Sequence, residues 1–445
     1  MRILLAVSAA KNYRLTGADI KTAYLNGTID EGLVIYMRQP RGFEKTGPNG
    51  EEMVCRLKKS IYGLKQSGAR WEQRLVEELL KYGFTRCMVD PCLYLLKRGS
   101  EILYLIVYVD DLIISSSSDE LREKVISDLA DIFKLKDSGP LTWVFGTGIN
   151  QNLEKGTVSL NQTIYIENLV HEFLPKESGK SSRLRIVPCH DDILDMPKIE
   201  EGETIMPEYR SIVGKLGWLC MISRPDIAYA YSMLARHCAA GTPRHYEVAL
   251  GVVRYLEKTK HYKLEWSEDR RTQAMDMILA HSKIRNDFTN PLDPLFFCDA
   301  SYGGERPMGG DAGLLYGGPF TWNASRLPVT PLSASESEYI TATRATVVAK
   351  STGDVLSFME LRGESPITIF CDNLAVILVS ENNTSTKRMK HIATRIAFLR
   401  EQVEAKNIQL FHIGTKGQVA DIFTKPLTAS VFHTLRPILV GPMGI

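Results

Sequence analysis

The chain has 445 residues, 44% of them hydrophobic and 24% charged, which excludes a disordered or low-complexity protein. At roughly 150 residues per domain the length corresponds to about three domains. A formal net charge of +2 excludes a uniformly basic body, so any polyanion must be met by local patches. No apolar run approaches the ~18 residues of a membrane span. Eight scattered cysteines, none spaced C-x-x-C and none beside a His pair that completes a zinc pattern, read as reduced thiols of an intracellular protein.

The first residues read as the amphipathic end of a helix rather than a leader, because the apolar run is short and Lys11 and Arg14 follow it. Residues 71–80 have helical periodicity and stop near Gly83. Residues 102–109, ILYLIVYV, are an unbroken β-branched and aromatic run that suits a strand buried on both faces. After a short strand at 157–160 the pattern turns helical, at 164–173, 209–220, 225–238 and 243–258. Prolines open two of these helices, where a missing N–H costs nothing. Residues 267–290 are polar and poorly patterned, and a linker is expected there. Strands follow at 295–298, 312–316 and 320–324, then a long helix at 337–361 and strands at 367–371 and 408–413, a mixed α/β layer with its own core.

Several apolar strands end in carboxylates. Asp110 and Asp111 sit between ILYLIVYV and Leu112-Ile113-Ile114, as at the tip of a hairpin. Adjacent acids beside a dry strand are costly, and a divalent cation removes the cost, although Asp also favours plain turns. Asp19 stands where a short strand turns into a helix and, taken alone, reads as an N-cap. Asp299 and Asp372 each end an apolar strand. Glu338 opens the long helix, where Ser335-x-x-Glu338 also fits a capping box. Asp421 has a plain reading as a helix-start acid. Lys387, Arg388 and Lys390 oppose the macrodipole at a helix start, which points to phosphate or to a solvated charge run. His412 lies in a strand and is a weak ligand candidate.

The motifs ADIKTAYLNG (18–27), IYMRQPRGFE (35–44), KKSIYGLKQSGARW (58–71) and YVDD (108–111) resemble the reverse transcriptase of copia-type LTR retrotransposons. YRSIVGKLGWL (209–219) and SRPDIAYA (223–230) resemble that family's segment after the palm. CDAS (298–301), SASESEY (333–339), CDN (371–373), KRMKHI (387–392) and VADIFTKPL (419–427) resemble its RNase H. The series runs in order over nearly the whole chain, which makes it far more specific than any one motif.

The resemblance implies a multidomain α/β (α+β) fold, a reverse transcriptase palm and helical thumb followed by a mixed-sheet RNase H-like domain. The expected divisions are a palm at 1–150 with its N-terminal fingers largely missing, a thumb or connection at 151–265, a linker at 266–290, the RNase H-like domain at 291–430 and a tail at 431–445. It implies that Asp19, Asp110 and Asp111 are the polymerase acids and that Asp299, Glu338, Asp372 and Asp421 are the nuclease acids. Each set would bind two magnesium ions, with manganese as an alternative, for phosphoryl transfer. Glu336 competes with Glu338, which is preferred because Glu-Tyr-Ile-Thr best matches the family's helix start. Tyr24 would exclude a ribose 2′-hydroxyl, Gln66 would touch the incoming nucleotide or template, and Phe145-Gly146 would be the remnant of a primer-grip turn. Implied partners are an RNA template, a DNA primer, an RNA–DNA hybrid, dNTPs and other parts of the retrotransposon polyprotein, with no membrane. The expected setting is the cytoplasm with access to the nucleus. The largely missing fingers, Val144-Phe145-Gly146-Thr147-Gly148-Ile149, Ser67-Gly68-Ala69-Arg70 and Ser301 depart from the family pattern, and they leave a second reading open: a truncated relic that binds or only cleaves hybrids.

Overall fold

In the computed structural model the apolar run near 102–109 forms the strand Glu101–Tyr108, buried from Leu103 to Val107. The structure describes all residues except 31, 175–185, 191–192, 195–205, 285–287, 289, 304–306, 382–391 and 443–445. Glu101–Tyr108 pairs with Leu93–Arg98 on one side and Asp111–Ser116 on the other. Arg14–Ile20 adds beyond Asp111–Ser116, and Leu135–Pro140 and Thr85–Arg86 form the edges of a six-stranded antiparallel sheet.

Two helices share the core of this sheet. Ser67–Tyr82 buries Trp71, Leu75 and Leu79, a stripe at fourth-residue spacing, and stops at Gly83, whose φ of 108° disfavours any Cβ. Asp119–Ile132 is capped by the Ser118 hydroxyl, which accepts from Leu121 N–H at 3.1 Å, and Asp119 and Glu120 in its first turn suit the macrodipole. The unit is one contiguous stretch, Tyr13–Leu141. Its ends lie side by side: Leu141 N–H donates to Leu15 C=O at 3.1 Å, and Thr16 pairs with Pro140.

The other compact unit contains Met1–Asn12 and Thr142–Ile445. Residues 1–12 and 142–150, grouped with the palm on local pattern, fall in this unit. The physical reason is pairing over long separations. Trp143–Val144, Thr147–Asn152, Thr157–Asn161 and Leu264–Trp266 form a four-stranded antiparallel sheet. The helix Arg2–Lys11 buries Leu4, Leu5 and Val7, and Arg2 donates to the carbonyls of Met221 and Phe320, both at 2.7 Å.

Helices Thr163–Phe173, Pro207–Ile222, Ala228–Ala235 and Pro243–Lys258 follow, and the expected 225–238 helix opens with the 3₁₀ turn Pro225–Ile227. A second sheet has the order Gly318–Arg326, Met308–Leu315, Leu295–Ala300, Ile367–Cys371, Ile408–His412. Its first three strands are antiparallel and its last two join in parallel, the mixed sheet expected of the RNase H-like domain. The long helix is Ala334–Phe358.

Two stretches differ from expectation. The linker at 266–290 carries the helix Glu268–His281, capped by Ser267. Its inward stripe is Arg270, Ala274 and Ile278, and Arg270 donates to the carbonyls of Pro437 and Gly441. The tail at 431–445 holds most of the helix Ala429–Leu439, whose Phe432 packs edge-on against Tyr255 with ring centroids 6.1 Å apart. The helical segment and the second sheet therefore share one core, in which Leu216, Leu256, Leu295, Phe370 and Leu435 all take part. No described helix is long and apolar enough to cross a membrane.

Candidate active sites

In the palm, Asp19 lies inside the strand Arg14–Ile20 with Asp111 as its cross-strand partner. It is not an N-cap: the 3₁₀ turn that follows, Ala23–Asn26, has Thr22 at its N-cap. Tyr108 pairs with Asp111, which leaves Val109 and Asp110 as the loop of a tight hairpin. Ile20 N–H donates to Asp110 C=O at 2.9 Å, tying the two acid-bearing segments together. Asp19 and Asp110 are half-buried and Asp111 is exposed. Partial desolvation, with Asp110 and Asp19 beside it, raises the Asp111 carboxyl above its ordinary range. Tyr24 stacks edge-on against Tyr62 with centroids 4.6 Å apart, and Gln66 stands at the N-terminus of the Ser67–Tyr82 helix.

In the second sheet, Asp299 and Asp372 end the neighbouring parallel strands Leu295–Ala300 and Ile367–Cys371. Asp421 arrives on the 3₁₀ turn Val419–Phe423, which is tied to the sheet by Gln418 Nε2 donating to Cys298 C=O at 2.9 Å. Its approach needs glycine at 310, where a Cβ would stand 2.6 Å from Phe423 Cβ and 2.9 Å from Ala420 O. Oxygens of Asp299, Asp372 and Asp421 lie within 4.8 Å of one another, and so do ligand atoms of Glu338, Cys371 and Asp372. Asp372 is common to both groups. Among the described residues, the three palm acids do not converge in this way.

The helix start gives the two glutamates different surroundings. Ser333, not Ser335, is the N-cap; its hydroxyl accepts from Glu336 N–H at 3.2 Å, and the Glu336 carboxylate accepts from Leu332 N–H. Glu336 is thus occupied in capping. Glu338, further along the first turns of the helix, accepts from Ala300 N–H at 3.3 Å and approaches Cys371 Sγ.

Burial and mutual repulsion dominate this cluster. Asp299, Glu338 and Asp421 are 3%, 6% and 1% exposed. Desolvation first, then the neighbouring acids and Cys371, pushes Glu338 well above the carboxylate range. Desolvation and Asp299 push Asp421 and Asp372 upward. Two residues not singled out on sequence temper the repulsion. Lys425 Nζ lies 2.8 Å from Asp421 Oδ1, and Thr424 Oγ1 donates to Asp299. Burial works against the Lys425 ammonium, but Asp299 and Asp421 more than offset it and raise its pKa. Both residues lie in VADIFTKPL, with Lys425 one helical turn after Asp421, and that spacing was the available signal. His412 is the cross-strand partner of Cys371, at the end of its strand. Lys387, Arg388 and Lys390 lie outside the described residues.

Elsewhere, Phe145 and Gly146 both have positive φ, 48° and 70°, between Val144 and Thr147, the two-residue turn that favours a tight hairpin.

Residues 1–180 match the family model described as "Reverse transcriptase (RNA-dependent DNA polymerase)". The "Retrovirus-related Pol polyprotein from transposon RE1" of Arabidopsis thaliana is 28% identical over 442 residues, covering 97% of this chain and 28% of that protein. The chain thus spans little more than a quarter of this relative's length. The "Putative transposon Ty5-1 protein YCL074W" of Saccharomyces cerevisiae is 31% identical over 329 residues, covering 73% of this chain and 97% of that protein. Among solved structures, LC11-RNase H1 isolated from compost aligns with 30% of this chain and 93% of its own at 16% identity, with a TM-score of 0.25, a likeness that bears no weight here.

Proposed function

Because the chain belongs to the copia-type retrotransposon Pol polyproteins with a reverse transcriptase, we propose that it is an RNA-directed DNA polymerase joined to a nuclease that cleaves the RNA strand of RNA–DNA hybrids. The observation that carries the reading is the placement of acids at two separate strand ends: Asp19 opposite Asp111 in one sheet, and Asp299, Asp372 and Asp421 together in the other.

The nuclease residues fit divalent cations. Three of the four acids are buried and Asp372 is half-buried, desolvation and neighbouring charges push the carboxyls of Glu338, Asp421 and Asp372 upward, and hard oxygen donors suit magnesium or manganese. Bound there, such ions would supply activation of a water and stabilisation of the leaving oxygen. Asp372, common to both groups of ligand atoms, would bridge them. Lys425 and Thr424 would orient Asp421 and Asp299. In the palm, Asp110 and Asp111 with Asp19 would hold the ions, Tyr24 would bar a ribose 2′-hydroxyl, and Gln66 would contact nucleotide or template. Template, primer, hybrid and dNTPs are the proposed partners, within the polyprotein setting of the relatives, and the cytoplasm with nuclear access is the proposed location.

A second reading, hybrid cleavage without synthesis, is favoured by one observation: the nuclease acids converge and, among the described residues, the palm acids do not. Magnesium-dependent extension of a DNA primer on an RNA template separates the two. Extension that disappears with Asp110→Asn supports the first reading. A folded preparation that cleaves hybrids but extends nothing rejects it in favour of the second.

A further inference from the structure

The hairpin that carries Asp110 is strained. Val109 holds φ at 59°, in the left-handed region where a β-branched residue is an outlier and glycine or asparagine is usual. Burial does not compensate, since the Val109 side chain is 38% exposed. Such a conformation persists only where its surroundings over-determine it. Two hydrogen bonds clamp the loop. Ile20 N–H holds the Asp110 carbonyl, and Trp71 Nε1–H donates to Val109 C=O at 2.7 Å. The first is a backbone bond that almost any sequence could make. The second requires an indole at position 71, because phenylalanine or leucine would fill the space without donating.

Trp71 is itself firmly held. It is 3% exposed, meets Phe133 edge-on with centroids 5.3 Å apart, and shares its helix with Leu75 and Leu79, which anchor in the same core. The rigid core of the unit thus reaches, through one side-chain donor, the peptide between Val109 and Asp110.

We propose that Trp71 is a positioning residue for polymerisation: its indole N–H fixes the rotation of the Val109–Asp110 peptide and thereby the directions of the Asp110 and Asp111 carboxylates. The proposal rests on the polymerase reading of the palm. It also explains why a valine can occupy a left-handed position there, since the clamp holds the turn that the side chain disfavours.

The test is a substitution cycle in the full chain, Trp71→Phe and Val109→Gly, singly and together. Phenylalanine keeps an aromatic ring and removes the donor. Glycine accepts φ near 59° without strain, so the turn depends less on the clamp. Trp71→Phe alone is expected to lower kcat for primer extension roughly tenfold, to leave KM for dNTP within about twofold, and to raise the magnesium midpoint. In the Val109→Gly background the same change should cost markedly less.

An equal loss in both backgrounds, or a loss confined to melting temperature, overturns the proposal and leaves Trp71 a packing residue. If the unsubstituted chain extends no primer, the polymerase reading fails separately. Manganese bound by the palm, measured by electron paramagnetic resonance as the part lost on Asp110→Asn, then decides the Trp71 question: weaker binding in Trp71→Phe supports it and unchanged binding rejects it. If Trp71→Phe does not fold, solvent exchange of the Trp71 indole N–H in isotope-labelled unsubstituted protein takes its place. Slow exchange is expected, and exchange as fast as that of a free indole overturns the clamp.

Discussion

Asp111 stands in solvent at the start of its strand, whereas Asp421 is enclosed on a turn followed closely by Lys425. The palm acids lie nearer solvent along a sheet and a strained loop, with Asp19 and Asp110 half-buried and Asp111 exposed. Of the acids proposed for the nuclease, Asp299, Glu338 and Asp421 are buried, and burial with neighbouring charges pushes Glu338, Asp372 and Asp421 toward protonation. A site of the first kind depends on backbone geometry for its aim. A site of the second kind is preassembled, and its metal affinity, protonation and stability are coupled.

The largest effects should come from silencing each cluster in turn. Asp372→Asn should reduce hybrid cleavage roughly a thousandfold, about 4 kcal/mol in the barrier, while primer extension on the same preparation stays intact. Asp110→Asn should do the reverse, and a variant that loses both activities would show the sites to be interdependent. Saturating magnesium comes next. At one hundred times Kd it should stabilise the nuclease unit by about 2.7 kcal/mol, read as a rise in melting temperature. Lys425→Ala should enlarge that rise, because the metal then relieves repulsion that Lys425 otherwise tempers.

Gly310→Ala should cost about 1–3 kcal/mol, since the new Cβ meets Phe423 and Ala420 and must displace the turn that bears Asp421. Hybrid cleavage should fall with it, while primer extension should not. The smallest effect is a pH dependence. Carboxyls raised in the folded state contribute stability below their unfolded values, near pH 4, and lose it as pH climbs through the folded values. In chelator, the melting temperature of the nuclease unit should therefore decline from about pH 4 toward neutrality, by a few degrees, and magnesium should flatten the curve. A flat curve in chelator would show that the Lys425 charge and the Thr424 hydrogen bond already offset the repulsion in the cluster.

Much of this site was legible because burial leaves a trace in composition. Phe296-Phe297-Cys298-Asp299 and Ile369-Phe370-Cys371-Asp372 each place an acid where apolar residues predict a strand end, and the sheet does bring those strands together. The choice between Glu336 and Glu338 was not legible in the same way. Two serines each stand three residues before a glutamate, and only the start of the helix at Ala334 shows that Ser333 and Glu336 form the cap. Other failures came from polar residues in buried places. Arg270 faces inward to satisfy carbonyls at the end of the last helix, so its own helix reads as a polar linker. The membership of residues 142–150 was hidden for another reason: it depends on the Thr157–Asn161 strand pairing with Leu264–Trp266, a contact that no local window contains.

The side-by-side ends of the Tyr13–Leu141 unit have a consequence for how such a chain can be inherited. The segment enters through the strand Arg14–Ile20 and leaves just after its neighbour Leu135–Pro140, and none of its strands belongs to a sheet of the other unit. It is topologically an insertion whose two ends are adjacent. Recombination, or a designer, could exchange the whole palm at residues 12 and 142 without unravelling a sheet on either side.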